Sequence, residues 1–366
     1  MATSLDKKIV IVGGGMMGCS TAYHLTCLGA HCTLVERTSI ACAASGKAGG
    51  FLARSWCDGT ASGPLARASF ELHKQYGAEF DCDFRPVDTL ELSVDALKKR
   101  KGSLGAAPEW IDKGNVRSMR VTGSTSDTAQ VHPRKLCESF MRKAEANGCS
   151  LVLAEVTGVE FSPTDSTTIQ GVRLADGQVI LCDILVLTLG PWTNLASQWF
   201  DYRLPPIGAE RAHSIVVTPK VPVTAHALFL EYKDDAGFHH PEVYSRPDGT
   251  VYLCGFNDSV PLPESADQIK PNEESLCRLQ RIGGQVSSVL QDCELLVGQA
   301  CYLPIPPESD PIIGKVPHYN GQLYIAAGHY CWGILNGPAT GKGLAELIVN
   351  GNSSIDLSPF EPANFL

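Results

Sequence analysis

Four β-branched residues, Ile9-Val10-Ile11-Val12, run straight into Gly13-Gly14-Gly15-Met16-Met17-Gly18. The run is too short for a core helix, and its β-branching suits a strand buried on both faces. A glycine turn ends it, residues 19–28 continue as a helix that stops at Gly29, and residues 31–35 form a second strand ending in Glu36. Gly13, Gly15 and Gly18 keep the Gly-x-Gly-x-x-Gly spacing of a dinucleotide site. Gly13 permits the tight turn, Gly15 leaves room for a pyrophosphate, and Gly18 lets helix and strand pack closely. The phosphates then face the free N–H groups of the helix. Glu36 falls about 20 residues beyond the glycines, where an acid accepts both hydroxyls of an adenosine ribose and repels a 2′-phosphate.

The chain has 366 residues and 44% hydrophobic content, enough for a large core and two domains. A net charge of −9 and a pI near 5.6 supply no basic field, so neither nucleic acid nor an acidic membrane is expected as a partner. Fourteen cysteines are scattered without a C-x-x-C pair, and no apolar leader opens the sequence. No apolar run approaches the roughly 20 residues of a membrane helix. The final Asn-Phe-Leu is not the peroxisomal Ser-Lys-Leu. These features lead to a soluble protein of the reducing cytoplasm, with no metal site expected.

Further along, residues 41–51 are small and end in Gly49-Gly50, a stretch whose backbone can approach a bulky ligand. Residues 64–80 read as an amphipathic helix, and residues 81–130 loosen into short strands and polar loops. Val131-His132-Pro133 leads into a helix over 134–146 and a strand over 150–154. Asp176-Gly177 marks a hairpin within 171–181, and residues 183–190 read as another buried parallel strand whose end faces the ligand. Residues 204–297 are mostly β, with one helix around 274–290 and a clear hairpin, 243–246 with 250–254. A strand over 322–327, a turn over 328–338 and a helix over 339–349 close the chain.

Together these segments resemble the FAD-dependent amine and amino-acid oxidoreductases, the family of D-amino acid oxidase, glycine oxidase and sarcosine oxidase. The resemblance runs in pieces over nearly the whole chain. It rests on the first glycine motif, Ser45 to Gly50, His132-Pro133-Arg134 and Leu187 to Trp192. Most specific are Asp310-Pro311-Ile312-Ile313-Gly314 and the block from Gly328-His329 through Gly333-Ile334-Leu335 to Pro338-Ala339-Thr340-Gly341, which looks most like glycine oxidase. The implied fold is α/β: a Rossmann-like FAD-binding domain with a parallel sheet (1–84, 131–203 and 298–366), and an α+β substrate domain with a mainly antiparallel sheet (85–130 and 204–297).

The resemblance implies that FAD is held by Gly13, Gly15, Met16, Met17, Gly18, Glu36, Arg37, Ser45, Gly46, Lys47, Ala48, Gly49, Gly50, Val156, Gly190, Trp192, Cys301, Gly328, His329, Trp332, Gly333, Ile334 and Leu335. Amides at the start of the last helix would stabilise negative charge on the flavin N1–C2=O edge. The implied reaction moves a hydride from the CH–NH unit of a small amine or amino acid to flavin N5. The imine is then hydrolysed, and the electrons pass to oxygen, giving hydrogen peroxide, or to another acceptor. The alternative is a flavoprotein whose FAD is structural, acting in protein assembly or trafficking.

Cys301 lies eleven residues before Ile312, the spacing of the cysteine that bonds covalently to the flavin in sarcosine oxidase, so a thioether to FAD is considered. Arg54, nine residues after Ser45, matches that enzyme's carboxylate-gripping arginine. Tyr244 and Arg246, on the hairpin expected to roof the site, are the other substrate-site candidates, with Arg211 behind them. Phe51, Leu335 and Leu253 replace cations of sarcosine oxidase, which turns the expectation away from sarcosine. Trp56, Tyr330 and Trp332 point to a larger or more apolar amine.

Overall fold

The structure, a computed structural model, describes residues 6–98 and 107–366. Residues 99–106, within the stretch read as short strands and loops, lie outside the described part. Six strands form one sheet, in the order Ile312–Lys315, Leu323–Ala327, Ile184–Leu187, Ile9–Val12, Cys32–Glu36, Ser150–Leu153. All neighbours run parallel except Ile312–Lys315, which is antiparallel to Leu323–Ala327. The first strand is central and wholly buried. Ile9 and Ile11 pack with the helices Met16–Cys27, Ser62–Glu79, Pro133–Ala146 and Gly333–Asn350, while Val10 and Val12 pack with Val159, Ile169 and Val172 of a three-stranded sheet on the other face.

A larger sheet holds, in order, Glu294–Ile305, Gly208–Thr218, Val251–Asp258, Glu242–Ser245, His226–Asp234, Asp88–Asp95 and Val116–Gly123, with Gly237–His239 added to His226–Asp234. It is antiparallel except where His226–Asp234 meets Asp88–Asp95. Strand alternation divides its residues. Val243, Val251 and Leu253 go into a core with Leu276, Leu279 and Ile282 of the helix Glu273–Val286. Tyr244, Tyr252 and Cys254 go to the opposite face, where Phe51 and Phe229 pack against them.

The α/β class stands, and three details differ from the sequence reading. The position between 297 and 298 falls inside Glu294–Ile305, which pairs with Gly208–Thr218 along its length, so the strand crosses the expected boundary. Thr128–Gln130 pairs with Phe51–Ala53 and Arg85–Pro86 in a small separate sheet rather than in the large one. The last helix begins at Gly333, six residues before Ala339, with Pro338 inside it.

That early start depends on a repair. Pro338 has no N–H to give the carbonyl four residues back, which is Ile334. His73 Nε2–H takes that role, donating to Ile334 O (2.9 Å) and Leu335 O (3.1 Å), while Ala339 N–H turns to Ser69 Oγ (3.1 Å). Both repairing residues lie on Ser62–Glu79. The first and last helices meet still more closely. A Cβ on Gly337 would lie 2.1 Å from Met16 Cγ, and one on Gly341 would lie 2.2 Å from Ser20 Oγ and 2.6 Å from the Ser20 carbonyl carbon.

Gly341→Ala is therefore expected to force the helices apart and destabilise the fold by about 1–3 kcal/mol, read as a lowered melting temperature. Gly114→Ala, with nothing within 4 Å of its added carbon, is the control that stays near wild type.

Burial holds the imidazoles of His24 and His73 neutral, each lowered from 6.5 to about 4. Each binds a proton more readily when unfolded. The stability it contributes is thus complete above pH 6.5 and is lost as pH falls from there toward 4, about 2 kcal/mol each by pH 5. The denaturation midpoint should drop between pH 7 and pH 5, and drop less in His73→Gln. Equal slopes in the two proteins would contradict this.

Candidate active site

A cavity of about 760 Å³ opens at the carboxyl ends of the parallel strands, where Val12, Val35, Thr188 and Ala327 form its floor. At one end stands Glu36. Its Oε2 accepts the Gly14 N–H (2.6 Å) and its Oε1 the Thr38 N–H (2.8 Å), so the acid also braces the glycine loop. Arg37 beside it donates to Glu264 O (2.7 Å) and pairs with Glu155 (3.4 Å). Val156, Gly190 and Trp192 complete this end, the indole N–H of Trp192 donating to Pro263 O (2.8 Å).

The middle is made by two helix N-termini. Gly13 takes φ +110°, and a Cβ there would lie 2.5 Å from Thr188 O, so only glycine fits. Gly15, Met16 and Met17 follow on the wall, and Ser45 Oγ accepts the Met16 N–H (2.9 Å). Gly328, His329, Trp332, Gly333 and Ile334 bring in the second N-terminus. Neither helix has an acidic residue in its first turn, and no side chain caps Gly333–Asn350. Their first-turn N–H groups lack intrahelical partners and carry partial positive charge. His329 stays neutral, lowered by burial to about 3, with Nε2 3.0 Å from Thr340 Oγ1.

The far end is aromatic. Phe51, Trp56, Phe229, Tyr244, Tyr252, Tyr330 and Trp332 line it, with Phe51–Trp56 and Phe51–Phe229 centroids each 5.0 Å apart and Trp56–Phe229 4.8 Å. Among these rings sits the carboxylate of Glu242. The Tyr244 hydroxyl donates to it, and Cys254 Sγ lies 3.4 Å away. Desolvation raises the Glu242 carboxyl above its ordinary range despite those donors, and burial pushes the Tyr244 hydroxyl up strongly.

Ser45, Ala48, Gly49, Gly50 and Cys301 also line the cavity, as the sequence suggested. Other expected residues do not. Gly18 faces back onto Gly13 O, where a Cβ would lie at 1.9 Å, and so serves packing. Gly46 is pressed against Ala41 O, Lys47 Nζ donates to Ala300 O (3.0 Å), and Leu335 is buried in the helix core. Among the substrate-site candidates, only Tyr244 lies on the wall. Arg54 pairs with Glu71 (3.0 Å) with its side chain 38% exposed. Arg246 lies 4.9 Å from the Tyr252 centroid and contacts Ala48 O (3.4 Å), behind the tyrosines. Arg211 is clamped by both oxygens of Asp258 (2.8 and 2.6 Å). Leu253 points into the core beneath the sheet.

The sequence reading missed Glu242, Trp56's partner Phe229, and His213 and His240, all on the wall. A usable signal was there: Glu242 and Tyr244 are two apart on one strand and therefore share a face.

Residues 8–347 match the sequence profile of the family described as FAD dependent oxidoreductase. The chain belongs to that family. A Schizosaccharomyces pombe protein named only as an oxidoreductase is 32% identical over 97% of this chain and 98% of its own length. Glycine oxidase of Pseudomonas aeruginosa is 26% identical over 99% of this chain and 100% of its own. The crystal structure of glycine oxidase from Geobacillus kaustophilus superposes with a TM-score of 0.81 at 18% identity, covering 97% of this chain and 98% of that one. The oxidoreductase is thus an FAD enzyme, and its cavity suits that cofactor chemically. The N-terminus of Gly333–Asn350, which no side chain caps, and that of Met16–Cys27, where Ser45 Oγ takes the Met16 N–H, suit anionic and electron-rich groups, and Glu36 suits a ribose.

Cys301 is on the wall, yet burial raises its thiol to about 11, so at neutral pH it is protonated and a poor nucleophile for a thioether. Acid precipitation should release the flavin completely into the supernatant. Yellow colour that stays with the precipitate would establish the covalent bond.

Proposed function

We propose that this FAD-dependent oxidoreductase oxidises the CH–NH bond of a small amine or amino acid held in the aromatic end of the cavity. In this reading Glu36 takes the adenosine ribose, Gly15 to Met17 the pyrophosphate, and Gly333 and Ile334 the pyrimidine edge of the ring. FAD supplies the two-electron acceptor: the substrate carbon gives up a hydride and the nitrogen a proton, the resulting imine is hydrolysed by water, and oxygen or another acceptor takes the electrons.

The observation that carries the proposal is that one continuous space runs from Glu36 to Trp332, so a dinucleotide on the glycine loop and a small molecule among the rings share it. The protein's part is positioning. Phe51, Trp56, Phe229 and Trp332 exclude water and fix the substrate's carbon skeleton, while Tyr244, bonded to Glu242, presents its ring face. Arg246 backs this wall through Tyr252. The division of labour between the two large sheets, one for cofactor and one for substrate, belongs to the same proposal, as does a place in the reducing cytoplasm. Supporting the latter, all fourteen cysteines are free, including Cys32 and Cys149, whose sulfurs lie 3.5 Å apart. Among the described residues no helix is long and apolar enough to cross a membrane.

Mixing the holoenzyme anaerobically with a panel of primary and secondary amines, N-alkyl amino acids, glycine and D-amino acids tests the reaction. At least one member should bleach the visible band of oxidised flavin, and admitting oxygen or an artificial acceptor should restore it. A band that survives the whole panel would overturn the proposal.

A further inference from the structure

We infer that the aromatic end of the cavity receives a cationic amine without a carboxylate group, its ammonium meeting Glu242. The inference rests on the reading above that this site takes an amine, and adds which kind.

Glu242 is held for such a task. It faces Cys254 across an antiparallel ladder whose next pair on the same face is Tyr244 with Tyr252, so the four side chains project together from the large sheet into the cavity. Its two partners, the Tyr244 hydroxyl and the Cys254 thiol, are neutral. Among the described residues it forms no ion pair. A carboxylate withdrawn from water without a counter-charge is costly, and an incoming cation relieves that cost. The other acids on the cavity wall, Glu36, Glu155 and Glu264, belong to the opposite end.

The rings strengthen the argument. Phe229 packs 5.9 Å from Tyr244 and 4.8 Å from Trp56, and Phe51 stacks on Tyr244 at 5.8 Å, so several aromatic faces surround the space beside the carboxylate. Such faces attract an ammonium group and its alkyl substituents, and do nothing for an anion.

The same surroundings oppose a substrate carboxylate. No arginine or lysine lines this end among the described residues, because Arg54, Arg211 and Arg246 are engaged with Glu71, Asp258 and the Tyr252 ring. His213 spends its Nδ1–H on Phe256 O (2.7 Å), so among the described residues the imidazole of His240 is the one chargeable donor left to an anion at this end, beside neutral donors such as Tyr330. A carboxylate here would lie close to Glu242 in a poorly solvated pocket, where like charges repel strongly.

Two inert ligands of similar size and opposite charge decide the matter: benzyltrimethylammonium and benzoate, titrated into the oxidised holoenzyme and read by perturbation of the flavin spectrum. The cation should bind about tenfold or more tightly than the anion. Glu242→Gln keeps an acceptor for the Tyr244 hydroxyl but removes the charge. It should keep wild-type FAD content, weaken the cation about tenfold, and leave benzoate unchanged or tighter. Benzoate binding more tightly than the cation to wild type, or E242Q with normal FAD content binding the cation as well as wild type does, would overturn the inference. Should E242Q lose its FAD, the order of the two ligands on the wild-type protein decides alone. Anaerobic bleaching keeps the two proposals apart: reduction by N-alkyl amino acids but not by carboxylate-free amines defeats this inference and leaves the amine-oxidising reading intact. Reduction by no member of the panel, glycine and D-amino acids included, defeats that reading, while the binding order still judges Glu242.

Discussion

The contact between the first and last helices governs the site. Gly337 and Gly341 lie against Met16 and Ser20 at distances that exclude even a methyl group, so two segments more than three hundred residues apart in the chain lie side by side with both N-termini at one cavity. Each terminus carries roughly half a positive charge, and placing two such ends together is unfavourable until something negative joins them. The arrangement is therefore held by packing: the glycines supply close approach, and in the proposed reading an anionic cofactor would supply the compensating charge. Pro338 sits within this contact, and its lost hydrogen bond is made good by His73 and Ser69. A third helix is thereby tied to the seam by polar bonds that do not depend on the ligand.

The substrate end is aimed by a different rule. In the large sheet, Val243, Val251 and Leu253 are buried against the helix Glu273–Val286, and this fixes which face every neighbouring residue takes. Glu242, Tyr244, Tyr252 and Cys254 point into the cavity because their neighbours point away from it. A slip of one residue would put the carboxylate in the core and leucine in the cavity, losing both at once. The geometry of the site is in this sense enforced by hydrophobic burial on the far side of the sheet.

The sequence carried the cofactor half far better than the substrate half, for physical reasons. The strand, glycine turn, helix and acid between Ile9 and Glu36 are contiguous, and their local preferences agree with the final fold. The start of the last helix was hidden, because glycines and Pro338 read as a turn and the repair comes from His73, distant in sequence. Arg54 had the expected spacing, but spacing does not say that Glu71 lies closer to it than the cavity does. Leu253 was read as replacing a cation of sarcosine oxidase, whereas strand alternation sends it to the core beneath the sheet. Glu242 was legible through Tyr244, two residues on along one strand and so on the same face, whereas nothing local pointed to Cys254 and the aromatic rings around it.

These two constraints give the cavity an electrical polarity. Its middle offers helix N-termini and backbone amides, its far end a single carboxylate among rings, and no lysine or arginine of the described residues intervenes at that end. In a space shielded from water, charges act over longer distances than at the surface, so the order of the groups matters as much as their identity. In the proposed reading phosphates are drawn to the middle and repelled from Glu242, which would set the direction in which a long, charged cofactor lies. A cation entering from the aromatic side meets the reverse preference and stops at the carboxylate, short of the helix ends. The polarity that orients the cofactor thus also separates it from the second ligand without a dedicated wall between them.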